Sequence, residues 1–250
     1  MKNYNSKNNH PKRYFIPNLL TLVNMFLGFL AIGLIMNGEP VKAGVFIIIA
    51  GIFDVFDGKI ARLLGIESRF GMEFDSMADT VSFCVVPSLL VYSLYVDGLP
   101  PLIGGLISFI PIMFGTIRLA KYNIVQQEGN MKPYTVGLTT PIATITLFSY
   151  LFYNHQTDGD YGDPRTALML VAALGFLMIS PIHFAKFPLF SLKSGRKNSI
   201  LLIVFIMSLI LSAIWKGYIL MPITVIYIGW NIIYWLANPN RHSQITKIDN

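Results

Sequence analysis

The chain alternates between long apolar runs and short polar connections. Several runs approach or exceed the ~18 residues that a helix needs to cross a bilayer. The connections hold most of the charged residues, together with Gly and Pro, which end helices. This pattern predicts an all-α integral membrane protein with about eight transmembrane helices, at residues 16–36, 41–64, 71–96, 102–124, 134–153, 165–183, 199–215 and 218–237.

Composition agrees with this prediction. Hydrophobic residues make up 54% of the 250 residues and charged residues 13%, which is about half the usual share in soluble proteins. The net charge of +6 is compatible with nucleic-acid binding, but the basic residues lie at the ends of apolar runs, where they set membrane topology. We therefore expect no nucleic-acid partner. The one cysteine, Cys84, excludes an internal disulfide and a Cys-based zinc site.

The distribution of basic residues predicts the orientation in the membrane. With eight helices, the tails and even-numbered connections carry 16 of the 19 Lys and Arg residues, and the odd-numbered ones carry only Lys42, Arg165 and Lys216. Because cytoplasmic segments carry the positive excess, both termini and the 58–73 link should be cytoplasmic. The first apolar run is too long for the core of a signal peptide, so we expect an uncleaved first membrane helix.

Four aspartates interrupt the apolar pattern. Asp54 and Asp57 lie near the end of the second predicted helix, and Asp75 and Asp79 lie near the start of the third. Residues three or four apart share one helix face, and the short link makes the two helices antiparallel. We therefore expect the two pairs of carboxylates to face each other at similar depth.

Carboxylates in such a site repel one another, and a hard divalent cation relieves that repulsion. Two metals bridged by shared carboxylates would suit a diphosphate substrate. Gly58 and Ala61 add no bulk to the same helix face, and Gly71 lets a group approach the third helix. Two alternatives stay open. One is a divalent-cation transporter, and the other is a set of structural ion pairs with Lys59, Arg62 and Arg69.

This stretch resembles the signature of the CDP-alcohol phosphotransferase family in every fixed position, namely Asp54, Asp57, Gly58, Ala61, Arg62, Gly71, Asp75 and Asp79. The resemblance implies an integral membrane enzyme, usually a homodimer, that binds two divalent metals (Mg²⁺ or Mn²⁺) and a CDP-linked lipid or alcohol. It implies that the first three aspartates bind metal. Asp79 would be the general base and could also contact metal. The CDP-lipid would contact Gly58, Ala61, Arg62 and Gly71.

Further segments resemble the phosphatidylserine synthase branch of that family, among them RLAKYN at 118–123 and VGLTTP at 136–141. This resemblance implies that CDP-diacylglycerol and L-serine react to give phosphatidylserine and CMP. Arg118 and Lys121 would bind phosphate or the serine carboxylate, with anchoring of a helix end as the alternative. Members often have G-L-P-x-P where this chain has GLTTP, so other acceptors, such as glycerol 3-phosphate or inositol phosphate, stay open.

The resemblance also implies a division of the chain, because the family core has six helices. The parts would be a polar basic tail at 1–15, a catalytic core at 16–183, a basic loop with two additional membrane helices at 184–237, and a polar tail at 238–250. The enzyme would lie among the lipids of a prokaryotic-type cell membrane. Early in the first helix, Asn18, Thr21 and Asn24 would lie near the substrate or form helix–helix hydrogen bonds.

Overall fold

The computed structural model describes residues 11–65, 68–127, 134–185 and 217–237. The helices in these residues are α1 Pro11–Met36, α2 Pro40–Leu64, α3 Arg69–Thr80, α4 Val86–Leu94, α5 Pro101–Ser108, α6 Ile110–Gln127, α7 Thr140–Thr157, α8 Pro164–Ile179 and α9 Leu220–Ala237. Two short strands, β1 Tyr134–Val136 and β2 His183–Ala185, form an antiparallel pair. The helix predicted at 199–215 and the basic loop before it lie outside the described residues.

Four helical segments in the described ranges are long and apolar enough to cross a membrane, namely Ile16–Met36, Arg69–Leu94, Pro101–Val125 and Leu220–Ala237. α2 and α7 have 25 and 18 residues and carry more polar side chains, and α8 is an apolar helix of 16 residues. The protein is therefore a multi-pass, mainly α-helical membrane protein, as the apolar pattern predicts.

A tight turn and a capped link hold the first three helices side by side. Gly38, with a φ of 75°, closes the turn between α1 and α2. Gly65 ends α2 in the left-handed conformation with a φ of 62°. Ser68 then caps α3, because its Oγ accepts a 3.0 Å hydrogen bond from the N–H of Gly71. The end of α2 and the start of α3, which carry the aspartates, thus follow each other closely.

A π-helical turn, Val81–Val85, joins α3 to α4. Pro87 accounts for the disturbed winding, because it has no N–H to donate to the Phe83 carbonyl oxygen four residues earlier. That oxygen accepts a 2.8 Å hydrogen bond from the Thr144 hydroxyl on α7 instead. The helix predicted at 71–96 therefore has nearly the expected length, but its middle is wound differently.

The helix predicted at 102–124 is divided at Phe109 into α5 and α6. Pro111 lacks the N–H that would continue the backbone hydrogen bonds. The next N–H, that of Ile112, donates a 3.2 Å hydrogen bond to Ser88 Oγ on α4. A side chain from the neighbouring helix thus replaces a backbone partner, and the two pieces together remain long enough to span a membrane.

The strand pair departs from the all-helical prediction. The pattern predicts helix from residue 134 and helix up to residue 183, and both predictions are wrong at these ends. Gly137 has a φ of 76°, and a Cβ there would collide with the Met178 carbonyl oxygen, so this position cannot be helical. Pro181 disfavours helix at the residue before it, and α8 ends at Ile179. The freed segments pair, with Val136 opposite His183.

The hydrophobic core surrounds α7, whose side chains from Thr140 to Phe152 are almost all buried. Phe148 and Leu151 are fully buried. They belong to the same core as Phe83 of the π-helical turn and Leu90 of α4. This core therefore holds in place the continuous segment of α3, π-helical turn and α4, whose first part carries Asp75 and Asp79.

Candidate active site

The four aspartates form one cluster, as their helical spacing predicts. Carboxylate oxygens of Asp54, Asp57 and Asp75 all lie within 4.8 Å of one another. Asp79 follows Asp75 by one helical turn and is only 8% exposed. Its carboxyl group interacts electrostatically with that of Asp54, so it lies beside the group of three.

No basic side chain in the described part of the chain forms an ion pair with these carboxylates. The ion pair that the described residues do contain joins Lys42 to Glu39 at 2.8 Å, at the end of α2 opposite to the aspartates. Arg62 interacts with Asp57 and Asp75 electrostatically, without a direct ion pair. For Arg62, a structural ion pair with the aspartates is therefore not supported.

The polar residues of α1 make hydrogen bonds to this cluster. Thr21 Oγ1 donates to Asp57 Oδ2 over 2.7 Å. One turn further on, Asn24 Nδ2 donates to Asp79 Oδ1 over 3.5 Å. Both side chains are buried. For Thr21 and Asn24, the predicted helix–helix hydrogen bonds are therefore present, and they join α1 to the aspartates themselves.

The two glycines near the cluster have different surroundings. Among the described residues, a Cβ at Gly58 would find only Arg62 Nη2 nearby, 3.8 Å away, so they leave open space beside this helix face. A Cβ at Gly71 would lie 3.1 Å from Ser68 Oγ and 3.7 Å from Asn18 Oδ1. Gly71 therefore serves close packing at the start of α3, whereas Gly58, with half-buried Ala61 one turn later, leaves room for a ligand.

Arg118 and Lys121 lie in different environments on α6. Arg118 is 8% exposed and interacts electrostatically with Asp79. Its Nε is buried and has no hydrogen-bond partner among the described residues. Lys121, one turn later, is exposed. The structure thus brings Arg118 to the aspartate cluster and leaves Lys121 at the surface.

Ser76 and Asn123 form a link that the sequence analysis missed. The Asn123 amide donates to Ser76 Oγ at 2.9 Å and to Glu73 Oε2 at 3.3 Å. A 3.1 Å contact joins the Ser76 hydroxyl to Asn123 Oδ1. These bonds hold α6 against α3, next to Asp75. An asparagine near the end of an apolar helix was the available signal, because a partly buried amide needs partners.

The donor set fits a hard divalent cation. Mg²⁺ and similar ions take oxygen ligands, and Asp54, Asp57 and Asp75 offer carboxylate oxygens close together. Asp75 Oδ1 is buried without a hydrogen-bond donor among the described residues. A buried carboxylate oxygen without a donor is unfavourable, and a bound cation would satisfy it. The cluster could therefore hold a divalent metal.

Comparison with known families agrees with this geometry. The family model described as CDP-alcohol phosphatidyltransferase matches residues 14–235. The matched range contains the four aspartates, Arg118 and most of α9. This chain belongs to the CDP-alcohol phosphatidyltransferase family, as the signature predicts.

Several curated relatives are similar over much of the chain. A CDP-diacylglycerol–serine O-phosphatidyltransferase of Helicobacter pylori (strain ATCC 700392 / 26695) is 32% identical over 89% of this chain and 92% of its own length. The Bacillus subtilis (strain 168) protein with that name is 36% identical over 74% of this chain and 99% of its own length. An archaetidylserine synthase of Methanothermobacter thermautotrophicus is 34% identical over 68% of this chain and 70% of its own length.

Proposed function

We propose that this protein transfers a phosphatidyl group from CDP-diacylglycerol to the hydroxyl of L-serine, giving phosphatidylserine and CMP. The observation that carries the proposal is the cluster of Asp54, Asp57 and Asp75 beside buried Asp79, which offers carboxylate oxygens close together for a divalent metal. Membership of the family supports the reaction class. The names of the relatives support the substrates.

The relatives support the acceptor more strongly than the lipid. Two are named for serine and CDP-diacylglycerol, and the third is named as an archaetidylserine synthase. Serine is the element that the names share, whereas the lipid differs. We assign a diacylglycerol lipid because relatives with that name cover up to 89% of the chain. Glycerol 3-phosphate and inositol phosphate are the acceptors to be tested against serine.

We assign two divalent metals, Mg²⁺ or Mn²⁺, to the aspartate cluster. Asp54, Asp57 and Asp75 would hold them, and Asp79 would reach the same site through its contact with Asp54. When bound, the metals would neutralise the carboxylates and stabilise the charge that develops on the diphosphate.

Asp79 is the proposed general base. It accepts the proton of the serine hydroxyl, and the hydroxyl oxygen attacks the phosphorus that carries the lipid. The bond from that phosphorus to the bridging oxygen breaks, and CMP leaves with the electron pair. Asn24 holds the carboxylate through its amide hydrogen bond. Because Asp79 is buried, bulk water has little access to compete with serine at this position.

The residues around the base are assigned to different parts of the two substrates. The open space at Gly58, with Arg62 beside it, is assigned to the CDP part of the lipid, and Ala61 extends the same face. Gly71 contributes by close packing of the α3 start. Arg118, near Asp79, is assigned to the serine carboxylate, because a guanidinium binds carboxylates well. Exposed Lys121 would act on phosphate groups at the membrane surface.

We further propose that both termini and the active site face the cytoplasm and that the enzyme is a homodimer. The orientation rests on the basic residues of the tails and even-numbered connections. Cys84 is buried and is the only cysteine, so a new cysteine gives a clean label. Lys42→Cys should react with an impermeant maleimide from outside intact cells, and protection there would reverse the orientation. Cross-linking in native membranes tests the dimer.

The reaction itself is tested by CMP release from the purified protein. CDP-diacylglycerol in detergent micelles is offered with L-serine, glycerol 3-phosphate or inositol phosphate. We expect CMP and phosphatidylserine with L-serine, loss of both with chelator, and recovery with Mg²⁺ or Mn²⁺. Release with another acceptor in place of serine would reassign the substrate. Metal flux into vesicles without any lipid product would favour the transporter.

A further inference from the structure

Two buried polar atoms near Asp79 have no hydrogen-bond partner among the described residues. One is Oδ1 of Asn24, whose side chain is 0% exposed, and the other is Nε of Arg118, which is 8% exposed. Most buried polar atoms in proteins are paired, so an unpaired one needs an explanation. Here an acceptor and a donor are both left open beside the same carboxylate.

The orientation of the Asn24 amide follows from its surroundings. Nδ2 donates to Asp79 Oδ1 over 3.5 Å, and the reverse orientation would place an oxygen against a carboxylate oxygen. The Asn24 backbone is also held, because its carbonyl oxygen accepts a 3.0 Å hydrogen bond from Ser82 Oγ on the π-helical turn. Gly28, one turn later, lets this turn approach α1, since a Cβ there would collide with Ser82. The free Oδ1 is therefore fixed close to the base.

Arg118 offers the opposite chemistry from a different helix. Its guanidinium is a donor only, and it interacts electrostatically with Asp79 from α6, whereas Asn24 reaches Asp79 from α1. A molecule whose hydroxyl lies at Asp79 therefore meets an open acceptor and an open donor. Those two groups match an ammonium and a carboxylate.

We propose that Asn24 Oδ1 accepts a hydrogen bond from the ammonium group of the acceptor, while Arg118 binds its carboxylate. This inference rests on the proposed function and deepens it, because it names the residue that makes the site selective for a zwitterionic amino acid. An acceptor with a phosphate near Asn24 would bring oxygen acceptors against an oxygen acceptor. Asn24 thus selects against sugar and glycerol phosphates.

The test compares L-serine with two analogues that each lack one charge. 3-Hydroxypropionate has the hydroxyl and carboxylate without the ammonium, and ethanolamine has the hydroxyl and ammonium without the carboxylate. CMP release gives kcat/KM for each. A hydrogen bond to a charged group corresponds to roughly a 10- to 100-fold preference, so we expect the wild-type protein to prefer serine over 3-hydroxypropionate by that factor. Equal use of the two by the wild type would overturn the proposal without any variant.

Asn24→Ala removes both the oxygen and the donor to Asp79, so activity should fall with every acceptor. The preference for serine over 3-hydroxypropionate should fall by about tenfold or more, while the preference for serine over ethanolamine stays unchanged. Arg118→Ala should lower the preference for serine over ethanolamine and leave the preference for serine over 3-hydroxypropionate unchanged. If Asn24→Ala lowers kcat/KM equally for all three acceptors, Asn24 only positions Asp79 and the proposal is wrong.

Thr21→Val is the matched control, because it removes a buried polar group one turn away that contacts Asp57 instead of Asp79. It should lower activity equally with all acceptors and leave both preferences intact. If Asn24→Ala does not fold, Asn24→Ser keeps an oxygen and should keep part of the ammonium preference. Failure of the proposed function is distinct, since the wild type would then release no CMP with serine.

Discussion

Thr21 on α1 and Asp57 on α2 are joined by a hydrogen bond of 2.7 Å from the Thr21 hydroxyl to Asp57 Oδ2. Both side chains are buried, at 4% and 3% exposure. The other carboxylate oxygen, Asp57 Oδ1, accepts a hydrogen bond from the Gly58 N–H, so the two bonds together fix the plane of the carboxylate. Partners of this kind orient metal ligands, so α1 contributes to the cluster without supplying a carboxylate.

Thr21→Val should therefore weaken metal binding. Valine has nearly the same shape and lacks the hydroxyl, so α1 keeps its packing while Asp57 loses a donor. We expect the Mg²⁺ or Mn²⁺ concentration for half-maximal CMP release to rise about 10- to 100-fold. Thr21→Ser, which keeps the hydroxyl, should stay near the wild type. An unchanged metal requirement in Thr21→Val would mean that the bond only joins two helices.

Asp79→Asn should stop turnover while the protein still inserts and binds its ligands. The amide is nearly isosteric and cannot accept the hydroxyl proton, so kcat should fall by roughly 10²–10⁴-fold. Binding of Mn²⁺, followed by its paramagnetic resonance signal, should persist, because Asp54, Asp57 and Asp75 remain. Asp75→Asn is the companion variant and should lose metal binding as well as activity. Near-wild-type kcat in Asp79→Asn would remove it from the role of base.

The convergence of the aspartates was predictable because it depends on local geometry. A period of 3.6 residues places Asp54 with Asp57 and Asp75 with Asp79, and a short link makes their helices antiparallel. The burial of Arg118 was harder to predict. Sequence spacing places it one turn from Lys121 on the same helix, and only the tertiary packing near Asp79 shows that Arg118 is the buried one of the two.

The strand pair and the π-helical turn could not be predicted from the pattern. Val136 and His183 pair across 47 positions of the chain, and strands of three residues are too short for an alternating pattern. Pro87 signals a disturbed helix, but its compensation comes from Thr144 on another helix. Such partners are set by tertiary contacts, and a single sequence does not reveal them.

Thr144→Val tests that compensation. The variant removes the Thr144 donor from the Phe83 carbonyl oxygen, to which Pro87 cannot donate, and should cost about 1–3 kcal/mol of unfolding free energy. Thr146→Val is the matched control. Its hydroxyl, also buried, bonds the Ile142 oxygen of the same helix, which keeps its backbone partner. Reversible unfolding in mixed micelles compares the two, and equal losses would contradict the assigned role of Thr144.

Asp163 makes stability depend on pH at the start of α8. Its carboxylate accepts hydrogen bonds from the Thr166 hydroxyl at 3.0 Å and from the Thr166 N–H at 3.3 Å. The bond from the Thr166 side chain is the main reason that the pKa of Asp163 lies below its usual value of 3.8. A lowered pKa in the folded state means that this stabilisation is complete above pH 3.8 and is lost as the pH falls through the folded value.

Asp163→Asn can still cap the helix but cannot titrate, so it isolates the contribution of the charge. We expect the wild type to have the higher thermal midpoint at neutral pH, because a negative charge at a helix N-terminus is favourable. The difference between the two midpoints should shrink as the pH is lowered below the usual carboxyl pKa of 3.8. Thermal unfolding of both proteins in the same detergent, from neutral to acidic pH, measures it. A difference that stays constant over this range would show that Asp163 acts only through hydrogen bonds that asparagine also makes.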